Sequence, residues 1–321
     1  MRDQYGRDIH YLRISVTDRC NLRCAYCMPE GIKQLPHGEI LRYEEILRIC
    51  RQAVKLRICH FKVTGGEPLV RRGILDFLRE LKAMDGAETV TLTTNGLLLS
   101  EAAGELAAMN IDGVNISLDT ADREDYEAIT GRDAFETVDR AIREVVRLGI
   151  PTKCNCVLLS GGENRILSVA EYARRLPVDV RFIELMPIGA GTAGGGLSAA
   201  AAREILVKEY PDLAPAEEKR GFGPARYEAS ARLKGRIGWI DAVSHSFCQG
   251  CNRVRLTSTG LLKPCLCYGD GTDVKSLLRG GCGDEELKAA LAQAIYGKPR
   301  AHCFDGGGPV TESHTMAEIG G

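Results

Sequence analysis

The chain has no surplus of charge of either sign, because 42 Lys and Arg stand against 43 Asp and Glu, for a formal net charge of −1. A global basic field that would draw it onto nucleic acid or anionic lipid is excluded, although local basic patches are not. It has no apolar run long enough to span a bilayer. Residues 1–10 are polar and charged and lack the apolar stretch of a secretion signal. The expectation is a cytoplasmic protein with neither nucleic acid nor membrane among its partners. A P-loop is also absent, so any phosphate it binds must be met by side-chain cations instead of a cradle of backbone amides. A formal G-x-G-x-x-G does occur at Gly189, Gly191 and Gly194, but no helix opens on it and no acidic residue closes a following strand. That stretch reads as a glycine-rich loop.

Thirteen cysteines are present. Cytosolic thiols stay reduced, so they read as metal ligands or small core residues and not as disulfides. Cys50, Cys59, Cys154 and Cys156 lie in apolar contexts and are expected in the core. Cys282 and Cys303 carry no readable signal. Cys20, Cys24 and Cys27 fall within eight residues, spaced Cys-x3-Cys-x2-Cys, close enough for one loop to turn all three onto a single inorganic centre. Thiolates are soft ligands that suit zinc or an iron-sulfur cluster. A purely structural centre of either kind takes four protein ligands, and three leave one position free for something that reacts.

From Tyr11 to Leu185 short β-like runs alternate with amphipathic segments. The strands are expected at Tyr11–Thr17, His60–Thr64, Thr89–Thr93, Gly113–Leu118, Pro151–Leu158 and Asp179–Glu184. The helices are expected at Tyr43–Leu56, Gly73–Met84, Glu101–Met109, Ala134–Leu148 and Asn164–Arg175. Six βα units predict an α/β fold, a partial (β/α)6 relative of the TIM barrel, with functional residues at the C-terminal ends of the strands. The first strand leads into the cysteine loop, the second into Thr64-Gly65-Gly66-Glu67-Pro68, the third into Thr94-Asn95-Gly96 and the fourth into Ser117-Leu118-Asp119. Ser117 and Asp119 suit either a ligand at the barrel mouth or the cap of a following helix. The alternation stops after Leu185. Ala199–Glu209 reads as a helix and residues 211–224 as a polar linker, so residues 1–187 are expected to form the barrel and residues 188–321 a C-terminal domain.

That second part repeats the three-thiol theme with Cys248, Cys251 and Cys265, with Cys267 nearby. By spacing alone it fits zinc and an iron-sulfur cluster equally. Arg253 and Arg255 follow two apart in a strand-like run and so share a face, which makes a bidentate anion clamp suited to phosphate. The bland reading is a solvated edge strand.

The cysteine spacing with Gly65-Gly66-Glu67-Pro68 one unit later resembles the radical SAM superfamily. There a 4Fe-4S cluster with one free iron binds S-adenosylmethionine, and a 5′-deoxyadenosyl radical abstracts a substrate hydrogen. The whole chain, from Tyr11-Leu12-Arg13-Ile14-Ser15 to Ile319-Gly320-Gly321, is similar to the GTP 3′,8-cyclase family of molybdenum cofactor biosynthesis. The resemblance implies two 4Fe-4S clusters, one on Cys20, Cys24 and Cys27 and one on Cys248, Cys251 and Cys265. It places Tyr26, Gly66, Asn95, Ser117 and Met186 at S-adenosylmethionine, and Arg13, Lys62, Thr93, Lys153, Arg181, Arg253, Val254 and Arg255 at GTP. It implies an external electron donor, and a homodimer is a further expectation. Independently of the resemblance, Arg13, Lys62, Lys153 and Arg181 lie on four different strands, which a barrel brings together, as a triphosphate requires.

Three departures stand out against the family pattern: Lys62 where arginine is usual, His60 where lysine is common, and His314 where arginine is found. Cys267 stays unassigned. The alternative function is a radical SAM peptide-modifying enzyme with an auxiliary cluster, which would show more C-terminal cysteines and has no use for the Arg-x-Arg clamp. A non-enzymatic iron-sulfur or zinc module leaves the free iron and the cations without a purpose.

Overall fold

The computed structural model describes residues 1–31, 35–192, 195–218, 220–304 and 309–320. In chain order the strands are β1 (Tyr11–Ser15), β2 (His60–Thr64), β3 (Thr89–Thr94), β4 (Gly113–Ser117), β5 (Thr152–Leu158), β6 (Asp179–Glu184), β7 (Ala214–Pro215), β8 (Arg226–Ala229), β9 (Ile237–Ile240), β10 (Arg253–Leu256), β11 (Leu261–Lys263) and β12 (Thr272–Asp273). The helices are α1 (Tyr43–Lys55), α2 (Ile74–Lys82), α3 (Leu99–Ala108), α4 (Arg123–Thr130), α5 (Phe135–Arg147), α6 (Glu163–Arg175), α7 (Ala199–Glu209), α8 (Val274–Arg279) and α9 (Asp284–Tyr296). The six predicted strands form within two residues of their expected ends. The chain folds as two compact units, each assembled from separated segments.

The first unit comprises residues 1–21, 30–92 and 248–321. Its strands run in the order β12-β11-β10-β1-β2-β3. β1 lies parallel to both β2 and β10, and β10, β11 and β12 continue as antiparallel neighbours. Val63, Phe61, Leu12, Ile14, Val254 and Leu256 alternate into an apolar layer that is almost wholly buried. Helix α1 presents Ile46, Leu47, Ile49, Cys50 and Ala53 on one buried face, at the spacing a helical stripe requires. Its start is set by Glu45, whose carboxylate accepts the Arg42 backbone N–H at 2.6 Å.

The second unit comprises residues 22–29 and 93–247, with the strand order β4-β5-β6-β9-β8-β7. β4, β5, β6 and β9 are parallel, and β8 and β7 add an antiparallel hairpin. Two features differ from expectation. Residues 211–224 are not linker throughout, since Ala214–Pro215 pairs with β8, and the parallel pattern does not stop at Leu185, since β9 extends it beside β6. Helix α4 was not foreseen because its eight residues are too short for a periodic stripe. Asp122 caps it by accepting the Asp125 N–H at 2.9 Å, and Gly131, at φ 73°, ends it.

Candidate active site

In the first unit the segment that carries Cys20 is fixed by the backbone of the next crossover. Gly66 N–H donates to the Thr17 carbonyl and Glu67 N–H to the Arg19 carbonyl, both at 2.7 Å. A Cβ on Gly66 would stand 2.4 Å from the Arg19 oxygen, and one on Gly65 2.7 Å from the Thr17 oxygen. The double glycine is therefore demanded first by chain against chain: only a residue without a side chain lets β2's exit lie along β1's exit. Glu67 is fully buried and its carboxylate accepts the Leu69 N–H at 2.9 Å, which shapes the turn at Pro68.

In the second unit the remainder of the cysteine loop rests on α4. The carbonyls of Thr130 and Ile129 accept the N–H groups of Arg23 and Ala25, each at 2.9 Å. Tyr26 donates its hydroxyl to the Asp119 carboxylate at 2.8 Å, and the other Asp119 oxygen accepts the Val157 N–H at 2.8 Å. Asp119 thus caps no helix. It clamps the cysteine loop to β5, and burial raises its carboxyl from 3.8 to about 6 against the pull of the Val157 N–H, the Tyr26 hydroxyl and Arg165. Burial and the adjoining Asp119 charge push the Tyr26 hydroxyl well above its ordinary range.

The other positions expected at S-adenosylmethionine fall at strand exits. Asn95 follows β3 directly, is largely buried, and accepts the Leu97 N–H at 3.1 Å. Ser117 is the last residue of β4. Met186 lies two residues past β6, where its carbonyl accepts the Ile188 N–H at 2.8 Å, and a Cβ on Gly191 would stand 2.4 Å from that carbonyl. Of the glycine-rich motif, Gly194 lies outside the described residues, as does the terminal Gly321.

The cations of the first unit form a register row. Arg13 of β1 pairs with Arg255 of β10 on one side and Lys62 of β2 on the other, and Lys62 pairs with Thr91 of β3. Two positions back, Arg253 pairs with Tyr11, so Arg253 shares a sheet face with Arg255. Burial, then the charges of Arg13 and Arg253, drive the Arg255 pKa well below its ordinary value, and its Nη1 is buried with no hydrogen-bond partner among the described residues. Val254 points away from this row and is buried, 1% exposed. Arg13 donates through Nε to the Gly320 carbonyl at 2.7 Å, so the C-terminal tail lies on the row. The tail is anchored upstream by a fully buried ion pair, Lys263 with Glu312, at 2.5 Å, and Glu312 also holds His314 at 2.7 Å.

The second cysteine triad sits beside the same arginines. Cys248–Gly250 forms a single turn closed by Cys251 N–H to the Cys248 carbonyl at 3.2 Å. Arg7, paired in the interior with Asp3 at 2.6 Å, donates to the Cys248 carbonyl at 2.9 Å, and Lys298 donates to the Arg253 carbonyl at 2.9 Å. Neither was foreseen, because each acts across more than 40 residues of sequence and no local pattern marks it. Burial pushes the Cys251 thiol up, but Arg253 and Lys298 outweigh it and bring it down to about 7. Burial raises Cys265, with Cys251 and Cys248 adding to the rise. A thiol made acidic by cations, with two more thiols in electrostatic reach, is a donor set that fits a soft metal centre. Cys267 is directed elsewhere, with its sulfur 2.7 Å from that of Cys303.

The two cations of the second unit expected at GTP, Lys153 and Arg181, are both engaged. Lys153 is 3.2 Å from the Asp179 carboxylate and donates to the Tyr227 hydroxyl at 3.0 Å and the Arg220 carbonyl at 2.9 Å. Arg181 donates to the side-chain oxygens of Asn155, at 2.9 Å, and Asn115. Thr93 lies in β3, one residue before its end. Of the four cysteines expected in the core, Cys50, Cys154 and Cys156 are buried, whereas Cys59 is only partly so and lies beside His60 and Glu88.

Comparison with known proteins sharpens this arrangement. Residues 14–173 match the family profile described as Radical SAM superfamily, and residues 178–304 that described as Molybdenum Cofactor Synthesis C. The chain is 42% identical over 328 residues to a GTP 3′,8-cyclase of Pelotomaculum thermopropionicum, and 39% identical over 323 residues to one of Clostridium perfringens, with 100% of each chain covered in both cases. In fold it is similar to SuiB of Streptococcus suis, with a TM-score of 0.66, 14% identity and coverage of 90% of this chain and 67% of that one. A SuiB structure bound to S-adenosylmethionine gives a TM-score of 0.62 at 16% identity, with coverage of 89% and 68%. Those two likenesses bear on fold alone, while the full-length identities establish kinship. The chain belongs to the GTP 3′,8-cyclase family, within the radical SAM superfamily.

Proposed function

We propose that the chain is a cytoplasmic radical SAM lyase that converts GTP to 3′,8-cyclo-7,8-dihydro-GTP in molybdenum cofactor biosynthesis, drawing electrons from an external donor. The superfamily implies a 4Fe-4S cluster and S-adenosylmethionine; the second cluster, on Cys248, Cys251 and Cys265, is what the family resemblance implies and the thiol set at that site supports. The observation that carries the reading is Arg255, a half-buried guanidinium whose buried Nη1 has no hydrogen-bond partner among the described residues, and whose neighbours Arg13 and Arg253 are offset by the thiols of Cys265 and Cys251 alone among the groups that shift it. Burying like charges side by side is costly unless an anion completes the site, and a nucleotide triphosphate is such an anion.

When bound, the cluster and S-adenosylmethionine supply hydrogen-atom abstraction. The protein's own tasks are to bind, orient and shield. Cys20, Cys24 and Cys27 hold the first cluster on a loop whose two ends are fixed by the Gly65-Gly66 crossover and by α4. Tyr26, pinned by Asp119, Gly66, Asn95, Ser117 and Met186 receive S-adenosylmethionine. Arg13, Lys62, Arg253 and Arg255, with Thr93, Lys153, Arg181 and the backbone of Val254, receive GTP. Holding the nucleotide in one pose confines reaction to one ribose hydrogen. Residues 1–187 supply the radical machinery and residues 188–321 the second cluster.

The test is anaerobic reconstitution with iron and sulfide, then incubation with reductant and S-adenosylmethionine, with and without GTP. Formation of 5′-deoxyadenosine only when GTP is present is expected, whereas equal formation without GTP overturns the substrate. Iron should count about eight per chain and fall to about four in Cys248→Ala, as two four-iron clusters demand. Four irons in the parent protein would remove the second cluster.

A further inference from the structure

A separate donor cluster lies at the other end of the first unit's strands. Cys59 precedes β2, His60 opens it, and Glu88 precedes β3. The Cys59 sulfur, a His60 ring nitrogen and a Glu88 carboxylate oxygen all lie within 4.8 Å of one another. Four residue steps along β2, about 13 Å, separate them from Thr64 and the double glycine that follows.

We propose that Cys59, His60 and Glu88 form a binding site for a divalent transition-metal cation, zinc by preference. The donor types are those zinc takes, one thiolate, one imidazole and one carboxylate, and water completes a tetrahedron. A tetrahedral zinc site spaces its ligand atoms about 3–4 Å apart, and His60 Nε2 is already 3.6 Å from Glu88 Oε2. The imidazole is oriented for the task. Its Nδ1 is 3.1 Å from the Thr89 hydroxyl, and a proton held there leaves the Nε2 lone pair facing Glu88.

The three ligands are carried by hydrogen-bonded strand starts and so hold their places. The Cys59 carbonyl accepts the Glu88 N–H at 2.8 Å, while the His10 carbonyl accepts the N–H groups of Cys59 and His60 at 3.2 Å. The His10 ring meets the His60 ring edge-on at 5.1 Å and walls the site. Access is from the Glu88 side, whose side chain is 65% exposed while that of His60 is 5% exposed. On binding, Cys59 coordinates as thiolate and its proton passes to solvent. No electron moves, and zinc serves as a clamp between β2 and β3. Position and ligands owe nothing to the nucleotide reading, so either can fail without the other.

The experiment uses the full-length, iron-loaded protein, equilibrated anaerobically with zinc against a competing chelator. Iron and zinc are counted by mass spectrometry, and the zinc shell is read by X-ray absorption. One zinc per chain is expected at unchanged iron, with one sulfur among its ligands. Cys59→Ala and His60→Ala should each weaken zinc at least tenfold, the loss that outer-shell partners alone commonly cause. Glu88→Gln, at an exposed position that leaves folding intact, should weaken it comparably. The proposal is overturned if no zinc is retained against the chelator, if its shell holds two or more sulfurs, or if Glu88→Gln and Cys59→Ala bind as the parent does.

Discussion

Replacing Arg255 by methionine tests the nucleotide site from two sides. Methionine keeps most of the unbranched stem but removes a charge that stands beside Arg13 and Arg253 with one buried nitrogen unsatisfied. Without nucleotide that charge is a burden, because part of the several kcal/mol that burial of an ion costs goes unrepaid at its buried nitrogen. The Arg255→Met protein should therefore melt higher than the parent, by an amount that corresponds to roughly 1–3 kcal/mol. With GTP the sign reverses, since truncating a buried charged partner costs about 2–5 kcal/mol of binding. That loss is about thirtyfold to several thousandfold in affinity. Anaerobic calorimetric titration with GTP and thermal melts in its absence, on the same preparations, supply both numbers. A fall in affinity under twofold, or a lower melting temperature without nucleotide, would refute the view that Arg255 is an incompletely compensated cation awaiting an anion.

Two other perturbations follow from the same structure. Asp119 binds its proton more tightly folded than unfolded, with its value raised from 3.8 to about 6. It therefore costs the folded state about 3 kcal/mol as pH rises through that interval. Asp119→Asn should flatten this segment of the stability-against-pH curve in urea titrations, and an unchanged slope between pH 4 and 6 would contradict the burial argument. Gly66→Ala places a methyl 2.4 Å from the Arg19 carbonyl oxygen and should destabilise the chain by about 1–3 kcal/mol. It should also lower iron content in proportion to a disturbed Cys20; parental iron and stability together would show that the two backbones have room to part.

The parallel strands were legible as short runs closed by turn residues, some buried along their whole length, such as β2, and some on alternate residues, such as β3 and β5. β2 (His60–Thr64) and β6 (Asp179–Glu184) match expectation to the residue. The three-thiol spacings and the Arg-x-Arg run were equally plain, being local patterns with a direct chemical meaning. The rest depends on distant partners. Nothing near Arg253 announces that β10 will lie beside β1, and nothing near Asp119 announces Tyr26, which is 93 residues away. Gly66 was placed at S-adenosylmethionine by resemblance, yet the first demand of the double glycine is the close passage of two backbones. Cys59 was assigned to the core from its apolar neighbours, whereas the charged residue that meets it, Glu88, arrives from the next strand.

The pairing of β10 with β1 ties the order of synthesis to the order of assembly. Tyr11–Ser15 leaves the ribosome long before residues 253–256, which supply one of its two neighbours. For most of translation the first strand therefore keeps one bare edge, the kind that recruits stray chains. A nascent chain halted before residue 253 would carry all three cysteines of the first loop and still be unable to close the sheet that supports them.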